Sequence, residues 1–271
     1  MRWLAALASS VALAACAGAE AASPHEGAAP PPPPITGTVG LVPGEAMSYE
    51  IKLAGVVAGE AAIAVGEAGD WQGHRSVVVK SRASTVGAID LVKHFVDEAS
   101  TWIDLDSGKP LKLEAHVEYD GKQANSTATF ADHVAEITTQ RDSEPAKTQH
   151  VRYGVGAVFD THSAMAQIRG WRGAKGETRS VFVVGGKRLW RISMTYVGDE
   201  VVGAGVGNRP AIRLDGASYK ARADGTAEAK PARTFSVWLS DDADRVPLRV
   251  VGHTELGDIA MELVDYTRGR P

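Results

Sequence analysis

Alternation of apolar and polar residues with a period of two constrains this chain more than any other feature of its sequence. In residues 112–119, Lys-Leu-Glu-Ala-His-Val-Glu-Tyr, the odd positions are apolar and the even positions are charged or polar. Successive side chains of a strand point to opposite faces of the sheet, so the pattern predicts a strand with one face on the core and one in water. Asp120 and Gly121, which follow, favour a tight hairpin turn.

Runs of this kind recur along the chain, roughly a dozen in all, and turn signals separate them. Further hairpin turns are indicated by Gly185-Gly186, by Asp224-Gly225 and by residues 241–245. Apolar residues share a face at positions 49, 51 and 53, at 190, 192, 194 and 196, at 235, 237 and 239, and at 259, 261 and 263. The predicted fold class is mostly β, an antiparallel meander that curls into an open barrel or curved sandwich with one short helix. A single β domain is predicted over residues 41–268.

The one helix is predicted near residue 160. Asp160 or Thr161 is a suitable cap, Met165 and Ile168 supply apolar positions one turn apart, and Gly170 is a suitable stop. A single helix packed on a curved sheet is suited to closing the open end of a barrel.

The N-terminus predicts export and lipid attachment. Arg2 precedes an apolar run from Trp3 to Leu13, which is shorter than the about 20 residues of a transmembrane helix. The run ends in Leu-Ala-Ala before Cys16, the only cysteine of the chain. We therefore predict a lipoprotein signal peptide over residues 1–15 and lipid attachment at Cys16. The alternative is an ordinary secretory signal whose cleavage site lies beside a cysteine.

Residues 16–40 predict a Pro/Ala-rich tether. They include five consecutive prolines, Pro30 to Pro34, a composition that favours polyproline II at about 3.1 Å per residue. The proline run would alternatively dock on an aromatic groove of a partner. Ala17 follows the cysteine, where Asp would favour retention in the inner membrane, so we expect an outer-membrane location facing the periplasm rather than an inner-membrane one.

Short motifs along the domain carry a resemblance to a known family. They are Pro43-Gly44-Glu45 with residues 49–51 and 53–59, the turn at 185–187, the run Trp238-Leu-Ser-Asp-Asp with Arg245 and residues 247–249, and the strand at 257–263. In order and spacing these motifs resemble the bacterial envelope family called Domain of Unknown Function 3108. The resemblance spans about residues 43–265 and is looser between 203 and 213. It implies a β protein of the periplasm or outer membrane, and it implies no catalytic residues, since the family has no settled function.

Motifs for common catalytic and metal chemistry are missing from the sequence. The eight histidines lie singly, which predicts no metal site. Asp160, His162 and Ser163 are too close together for a catalytic triad and are better explained by helix capping. The acidic loop at 241–244 lacks the Gly and terminal Glu of a calcium loop. No phosphate or dinucleotide loop is present, so no cofactor is expected. A net charge of -4 and the lack of a basic stripe exclude nucleic-acid binding.

Three aromatic residues are the predicted ligand-binding residues. Trp190 and Tyr196 share the apolar face of one strand, and core packing is the alternative for Trp190. Trp238 alternates with Phe235, Val237 and Leu239 and belongs to the opposite face. A large aromatic there either lines a cavity or packs beneath the helix, and a cavity would suit a lipid or glycan.

Two classes of function remain open from the sequence. The first is a lipid-anchored, non-enzymatic envelope protein that binds an amphipathic ligand, a lipid or a glycan, or assists envelope assembly with protein partners. The second is an envelope hydrolase acting on glycan or peptide, with carboxylates that face each other only in three dimensions. A structural component of a surface complex is a third alternative. A continuous apolar groove would favour the first class and a polar cleft with facing carboxylates the second.

Overall fold

The computed structural model describes residues 31–36, 39–254 and 257–270, and over these ranges the chain is mainly antiparallel sheet. The mostly β fold class is therefore confirmed. The same ranges contain fifteen strands and two helices. In chain order these are β1 (Ala46–Leu53), β2 (Val56–Val65), β3 (Gly69–Trp71), β4 (His74–Thr85), α1 (Gly87–Val92), β5 (Phe95–Asp104), β6 (Pro110–Tyr119), β7 (Lys122–Ala131), β8 (Val134–Arg141), β9 (Lys147–Arg152), α2 (Thr161–Gly170), β10 (Thr178–Gly185), β11 (Arg188–Ala204), β12 (Gly207–Ala221), β13 (Arg233–Ser240), β14 (Pro247–Thr254) and β15 (Gly257–Thr267).

The strands form a meander whose last strand returns to the first. Neighbours in sequence pair along the sheet, β3 is a side branch on β4, and β15 pairs with β1. Strands β9 and β10 are the two edges. Because every pair is antiparallel, the β1–β2 turn and the β4–β5 connection lie at one end of the sheet. The β5–β6, β11–β12 and β13–β14 connections lie at the other end.

The sheet curls until its two edges overlap, which gives a nearly closed barrel. Val184 and Leu189 lie on the outer face of β10 and β11. They pack in one apolar cluster with Ala135, Ile137 and Val151 of β8 and β9. The inner faces of β10 and β11, together with strands β1, β2, β4, β5 and β12 to β15, enclose the main core.

Alternation along the strands decides which side chains enter that core. In β11, Trp190, Ile192 and Met194 are all at most 4 % exposed and belong to the main cluster. In β6, Val117 and Tyr119 pack against the same cluster, as the odd positions of the run predict. The face assignments made from the period of two are confirmed for both strands.

Helix α2 fills the barrel near one end, as predicted. Asp160 caps it through a reciprocal pair of hydrogen bonds. The Ser163 amide donates to Asp160 Oδ1 at 2.9 Å, and the Asp160 amide donates to Ser163 Oγ at 2.9 Å. Its last turn meets the loops before β1 and between β13 and β14 through Arg169, which contacts Glu45 and the Arg245 carbonyl. We call this the helix end of the barrel.

A second helix, α1, corrects the prediction of one short helix. It has six residues, none of them buried, and it connects β4 to β5. Its sequence, Gly-Ala-Ile-Asp-Leu-Val, is too short to show a helical period and reads equally well as a strand. Sequence pattern alone therefore could not separate it from the flanking strands.

The end of the predicted tether packs against the barrel. Pro34 bridges Ser180 at the exposed edge of β10, the Ile35 amide donates to the Ser180 carbonyl at 2.9 Å, and Ile35 is 5 % exposed in the main core. Proline is tolerated at this position because the bridge uses the Pro33 carbonyl, which accepts from the Ser180 amide at 2.8 Å, and the Ile35 amide, so the N–H that Pro34 lacks is not needed. Residues 31–36 thus belong to the packed domain, which corrects the boundary predicted at residue 41. The signal peptide, Cys16 and residues 16–30 of the tether lie outside the described residues.

Candidate functional site

Two concave sites stand out in the described part of the chain, and the larger is a cleft on the outer surface. Its volume is about 560 Å³, within the roughly 300–1,000 Å³ of small-molecule sites. It lies between the turn that follows α2 and a bulge in β11. We call it the outer cleft, and its lining residues are Gly173, Ala174, Lys175, Tyr196, Val197, Gly198, Asp199, Glu200 and Arg213.

Local backbone structure creates the outer cleft. Tyr196 pairs with Leu214 and Gly198 pairs with Arg213, so Val197 is an extra residue on β11. Such a bulge bends its strand and redirects the side chains around it. Two hydrogen bonds hold the neighbouring turn against the bulge, from Gly176 N to Tyr196 O at 2.8 Å and from Tyr196 N to the carbonyl of Glu177, the residue just before β10, at 2.9 Å.

The side chains of the outer cleft are polar and already oriented. Tyr196 donates its hydroxyl proton to Asp199 Oδ1 at 2.8 Å. Burial and this hydrogen bond raise the pKa of Tyr196, so it remains a neutral donor. Arg213 donates to both oxygens of Asp215, at 2.9 and 3.3 Å, and these bonds raise the pKa of Arg213. The cleft therefore presents a fixed phenol, a fixed cation and carboxylates to a ligand.

Trp238 lies at the rim of the outer cleft. Its indole N–H donates to Glu200 Oε1 at 2.5 Å. Its cross-strand neighbours are Arg213 and Arg249, whose guanidinium carbons lie 5.4 and 5.6 Å from the ring centre. The prediction that Trp238 belongs to the face opposite Val237 is confirmed. The ring neither lines the interior cavity nor packs beneath α2, since that face of the sheet is the outer one.

Trp190 is a core residue. It is 4 % exposed, lies in the main apolar cluster and donates its indole N–H to the Gly185 carbonyl at 3.3 Å. It lines neither concave site. The core alternative therefore describes Trp190, because its ring is enclosed by the main core and is not part of the lining of the outer cleft.

The second concave site is an interior cavity beneath α2. Its volume is only about 40 Å³, room for a few water molecules or a small apolar group, since one water occupies about 10–15 Å³ by this measure. An acyl chain does not fit in it. The lining is mainly apolar and comprises Tyr49, Ile63, Ser81, Thr161, His162, Met165, Ile168, Arg169, Val237, Leu239, Pro247, Val250 and Met261.

A chain of polar side chains borders the interior cavity. Thr101 Oγ1 donates to Asp160 Oδ2 at 2.5 Å, and the same hydroxyl lies 2.8 Å from His162 Nδ1. Since the proton of Thr101 is used on the carboxylate, Nδ1 carries the hydrogen and donates to Thr101. His162 Nε2 then accepts from the Ser81 hydroxyl at 2.9 Å. Burial lowers the pKa of His162, so the ring is neutral.

These hydrogen bonds connect the start of α2 to β4 and β5, and a buried ion pair holds the end of α2. Arg169 donates to both oxygens of Glu45, at 2.6 and 2.8 Å, and both side chains are fully buried. The capping role assigned to Asp160 is confirmed, and Ser163 completes the cap. Both sets of contacts explain how α2 is held, and neither opens a path for a ligand.

The described ranges hold neither a metal-binding cluster nor a membrane-spanning helix. No group of three or more His, Cys, Asp or Glu side chains there is arranged to hold a metal ion. No helix in the same part of the chain is long and apolar enough to cross a membrane.

Sequence reasoning found Tyr196 and Trp238 but missed Lys175, Glu200 and Arg213. These three come from a turn and two strands that meet only through the folded sheet. The one local signal was the extra residue that a bulge requires in β11, which is not recognisable without its partner strand.

Comparison with known families and structures gives a family and a fold. A family model described as a protein of unknown function, DUF3108, matches residues 48–264. The match confirms the resemblance carried by the motifs. No curated protein matches the chain.

Among solved structures, a β-barrel-like protein of the domain of unknown function DUF1849 from Brucella abortus has a TM-score of 0.53 at 12 % identity, over 83 % of this chain and 97 % of that one. This similarity supports the barrel-like fold. A Bacteroides fragilis protein inferred to be exported, with a YmcC-like fold, scores 0.32 at 10 % identity over 83 % and 96 % of the two chains. A Parabacteroides distasonis protein inferred to be a lipoprotein scores 0.33 at 10 % identity over 87 % and 97 %. The last two scores are too low to support an argument.

Proposed function

We propose that this chain, which belongs to the DUF3108 family of proteins of unknown function, is a binding protein of the cell envelope and not an enzyme. The proposed ligand is amphipathic, and its glycan or lipid headgroup occupies the outer cleft. The protein is held by a lipid on Cys16 and faces the periplasm from the outer membrane.

The outer cleft is the observation that carries this proposal. It combines a volume of about 560 Å³ with both polar and apolar lining surface. Tyr196 and Trp238 supply aromatic surface with a polar end, which suits glycans and headgroups. Arg213 and Asp199 supply a donor and an acceptor whose positions are fixed by neighbours. A site oriented before binding loses less entropy when the ligand arrives.

The N-terminal sequence supports the location. An apolar run that ends in Leu-Ala-Ala before the only cysteine fits export followed by acylation of Cys16. Acylation with more than one chain gives firm membrane attachment. With Ala17 after the cysteine, the outer membrane is the proposed destination.

The outer cleft is polar and is not a continuous apolar groove, but the arrangement of its carboxylates gives hydrolysis less support than binding. The cleft carboxylates Asp199 and Glu200 already accept hydrogen bonds from Tyr196 and Trp238. A general acid and its partner would instead need to face a substrate bond from two sides. An envelope-assembly role remains compatible with the proposal, because the bound headgroup could belong to a molecule in transit.

Fluorine NMR of the full chain labelled with 5-fluorotryptophan tests the proposal. Trp3 lies in the predicted signal peptide, so the processed chain keeps five of the six tryptophans and gives five signals; Trp238→Phe and Trp190→Phe assign two of them. We expect the Trp238 signal to shift in a saturable way with chitotetraose, a glycan probe, or with monomeric lysophosphatidylglycerol, a headgroup probe. The Trp190 signal should stay in place.

Two variants make the test specific to the cleft. Tyr196→Phe keeps the ring and removes one hydrogen-bonding group, and it should weaken probe binding by roughly 3- to 10-fold. His150→Gln, on an exposed face of β9 and outside the lining of the cleft, is the matched control and should bind normally. No shift with either probe, or equal shifts of Trp190 and Trp238, would contradict binding at the outer cleft.

A further inference from the structure

Exposed apolar side chains are concentrated at one end of the barrel. Among the described residues, six large apolar side chains are exposed, and four of them come from two neighbouring connections. Val56 and Val57 are 65 % and 43 % exposed at the start of β2, and Leu91 and Val92 are 89 % and 76 % exposed on α1. We call these four residues the apolar tip.

The two halves of the apolar tip are joined in space. The Val86 amide, just before α1, donates to the Ala58 carbonyl of β2 at 3.1 Å. Helix α1 buries none of its own residues, so it adds nothing to the core while it presents Leu91 and Val92 to solvent. Contiguous apolar surface of this kind marks a contact with a membrane or a partner.

The position of the tip fits a bilayer as that contact. The apolar tip lies at the end of the sheet opposite the helix end. Docking of the tip therefore does not involve the end of the barrel that α2 closes. The predicted tether, 15 residue steps from Cys16 to Pro31, would span about 47 Å at the 3.1 Å per residue of polyproline II. Strand β2 has 10 residues and is about 33 Å long. The predicted tether therefore lets the tip reach the bilayer even from the far end of the barrel.

We infer that the apolar tip docks on the surface of the lipid bilayer that anchors the protein, with Val56, Val57, Leu91 and Val92 in the interfacial region. This inference goes beyond ligand binding, although it rests on the proposed lipid at Cys16. An anchored chain keeps the tip at a high local concentration beside the bilayer, so a small apolar surface is enough to fix orientation. Docking of this end would hold the barrel upright on the membrane and leave the outer cleft, on its side, open to the periplasm.

A fluorescent label on the full lipidated chain tests the docking. Acylation of Cys16 uses the only native thiol, so a nitrobenzoxadiazole dye can be attached to Leu91→Cys alone. The matched control is Val201→Cys, which is 69 % exposed on β11 near the helix end. In phosphatidylethanolamine and phosphatidylglycerol vesicles that carry spin-labelled lipid, we expect at least 3-fold more quenching of the dye at 91 than at 201.

Several outcomes would overturn the inference. Equal quenching at the two sites, or stronger quenching at 201, means that the tip does not face the bilayer. If the fluorescence of the dye at position 91 changes with protein concentration in the absence of vesicles, a second copy of the protein covers the apolar tip. A protein that leaves the vesicles contradicts the anchor and with it the docking. None of these results affects probe binding by Trp238, so failure of the docking and failure of the proposed function can be told apart.

A second test places the dye on Val57→Cys, either alone or together with the substitution Val92→Asp. A charge in the interfacial region is unfavourable, so quenching should fall at least 3-fold relative to Val57→Cys alone. Both positions are solvent-exposed, and folding should not change. Unchanged quenching would contradict a role for the apolar tip.

Discussion

The buried ion pair between Arg169 and Glu45 should control how firmly α2 closes the barrel. Arg169 donates to both Glu45 oxygens, at 2.6 and 2.8 Å, to the Asp244 carbonyl at 2.8 Å and to the Arg245 carbonyl at 3.1 Å. Both charged side chains are 0 % exposed. The substitution Arg169→Met keeps much of the side-chain volume and leaves the carboxylate buried without its partner.

The expected cost follows from that isolation. Breaking a fully buried pair on one side costs about 3–5 kcal/mol, mostly because the remaining charge is uncompensated. For a domain of this size each kcal/mol lowers the melting temperature by about 2–4 °C, so the midpoint should fall by roughly 6–20 °C. In the double variant Glu45→Leu, Arg169→Met no charge remains; the two carbonyls lose their donor, as they do in Arg169→Met, and the Val42 amide loses its Glu45 acceptor, at about 1–3 kcal/mol. The double variant should therefore be at least as stable as Arg169→Met, although two residues have changed.

Urea unfolding followed by circular dichroism measures these free energies. The control is Arg82→Met, which removes an ion pair whose side chains are 58 % and 46 % exposed and should cost less than about 1 kcal/mol. A loss below 1 kcal/mol for Arg169→Met, or strictly additive effects of the two substitutions, would refute the assignment of α2 closure to this pair.

Three further predictions concern other parts of the chain. Trp238→Ala should lower the free energy of unfolding in urea by about 1–2 kcal/mol, because its two cation–π contacts are worth about 0.5–1 kcal/mol each. Trp190→Ala should lower it by about 3–5 kcal/mol, because it truncates a core residue. Equal losses for the two variants would contradict the placement of Trp238 on the outer face and Trp190 in the core. The stability of the wild type should fall as the pH drops below about 6.5, by up to 1.4 kcal/mol per unit, because the unfolded chain binds a proton that buried His162, with its lowered pKa, does not. His162→Gln should flatten the dependence of stability on pH. An unchanged dependence would mean that a group other than His162 causes it. Cys16→Ser should move the exported protein from the detergent phase to the aqueous phase, and unaltered partitioning would rule out the lipid anchor.

The strands and one helix were predictable because their signals are local. Alternation along β6 and β11 identified the residues that face the core, and Asp120 and Gly121 do adopt the positive φ angles, 48° and 75°, of a hairpin turn. The cap at Asp160 was readable because its partner, Ser163, lies three residues away. Each of these features depends on neighbours in sequence.

The candidate site was harder to predict because it depends on register between strands. Trp238 acquires its environment from Arg213 on β12 and Arg249 on β14, and no pattern along β13 indicates either residue. Ser81 and His162 likewise meet across 81 residues of sequence. The face of Trp238 could be predicted, but whether that face lines a cavity or the outer surface depended on how the sheet curls.

A crystal structure of the full protein, purified with its bound molecules from native membranes in mild detergent, tests the central claim most directly. We expect ligand density in the outer cleft, in contact with Tyr196 and Arg213 and next to the Trp238 ring, with the interior cavity unchanged in size. An empty outer cleft together with a ligand in an enlarged cavity beneath α2 would contradict the proposed binding site.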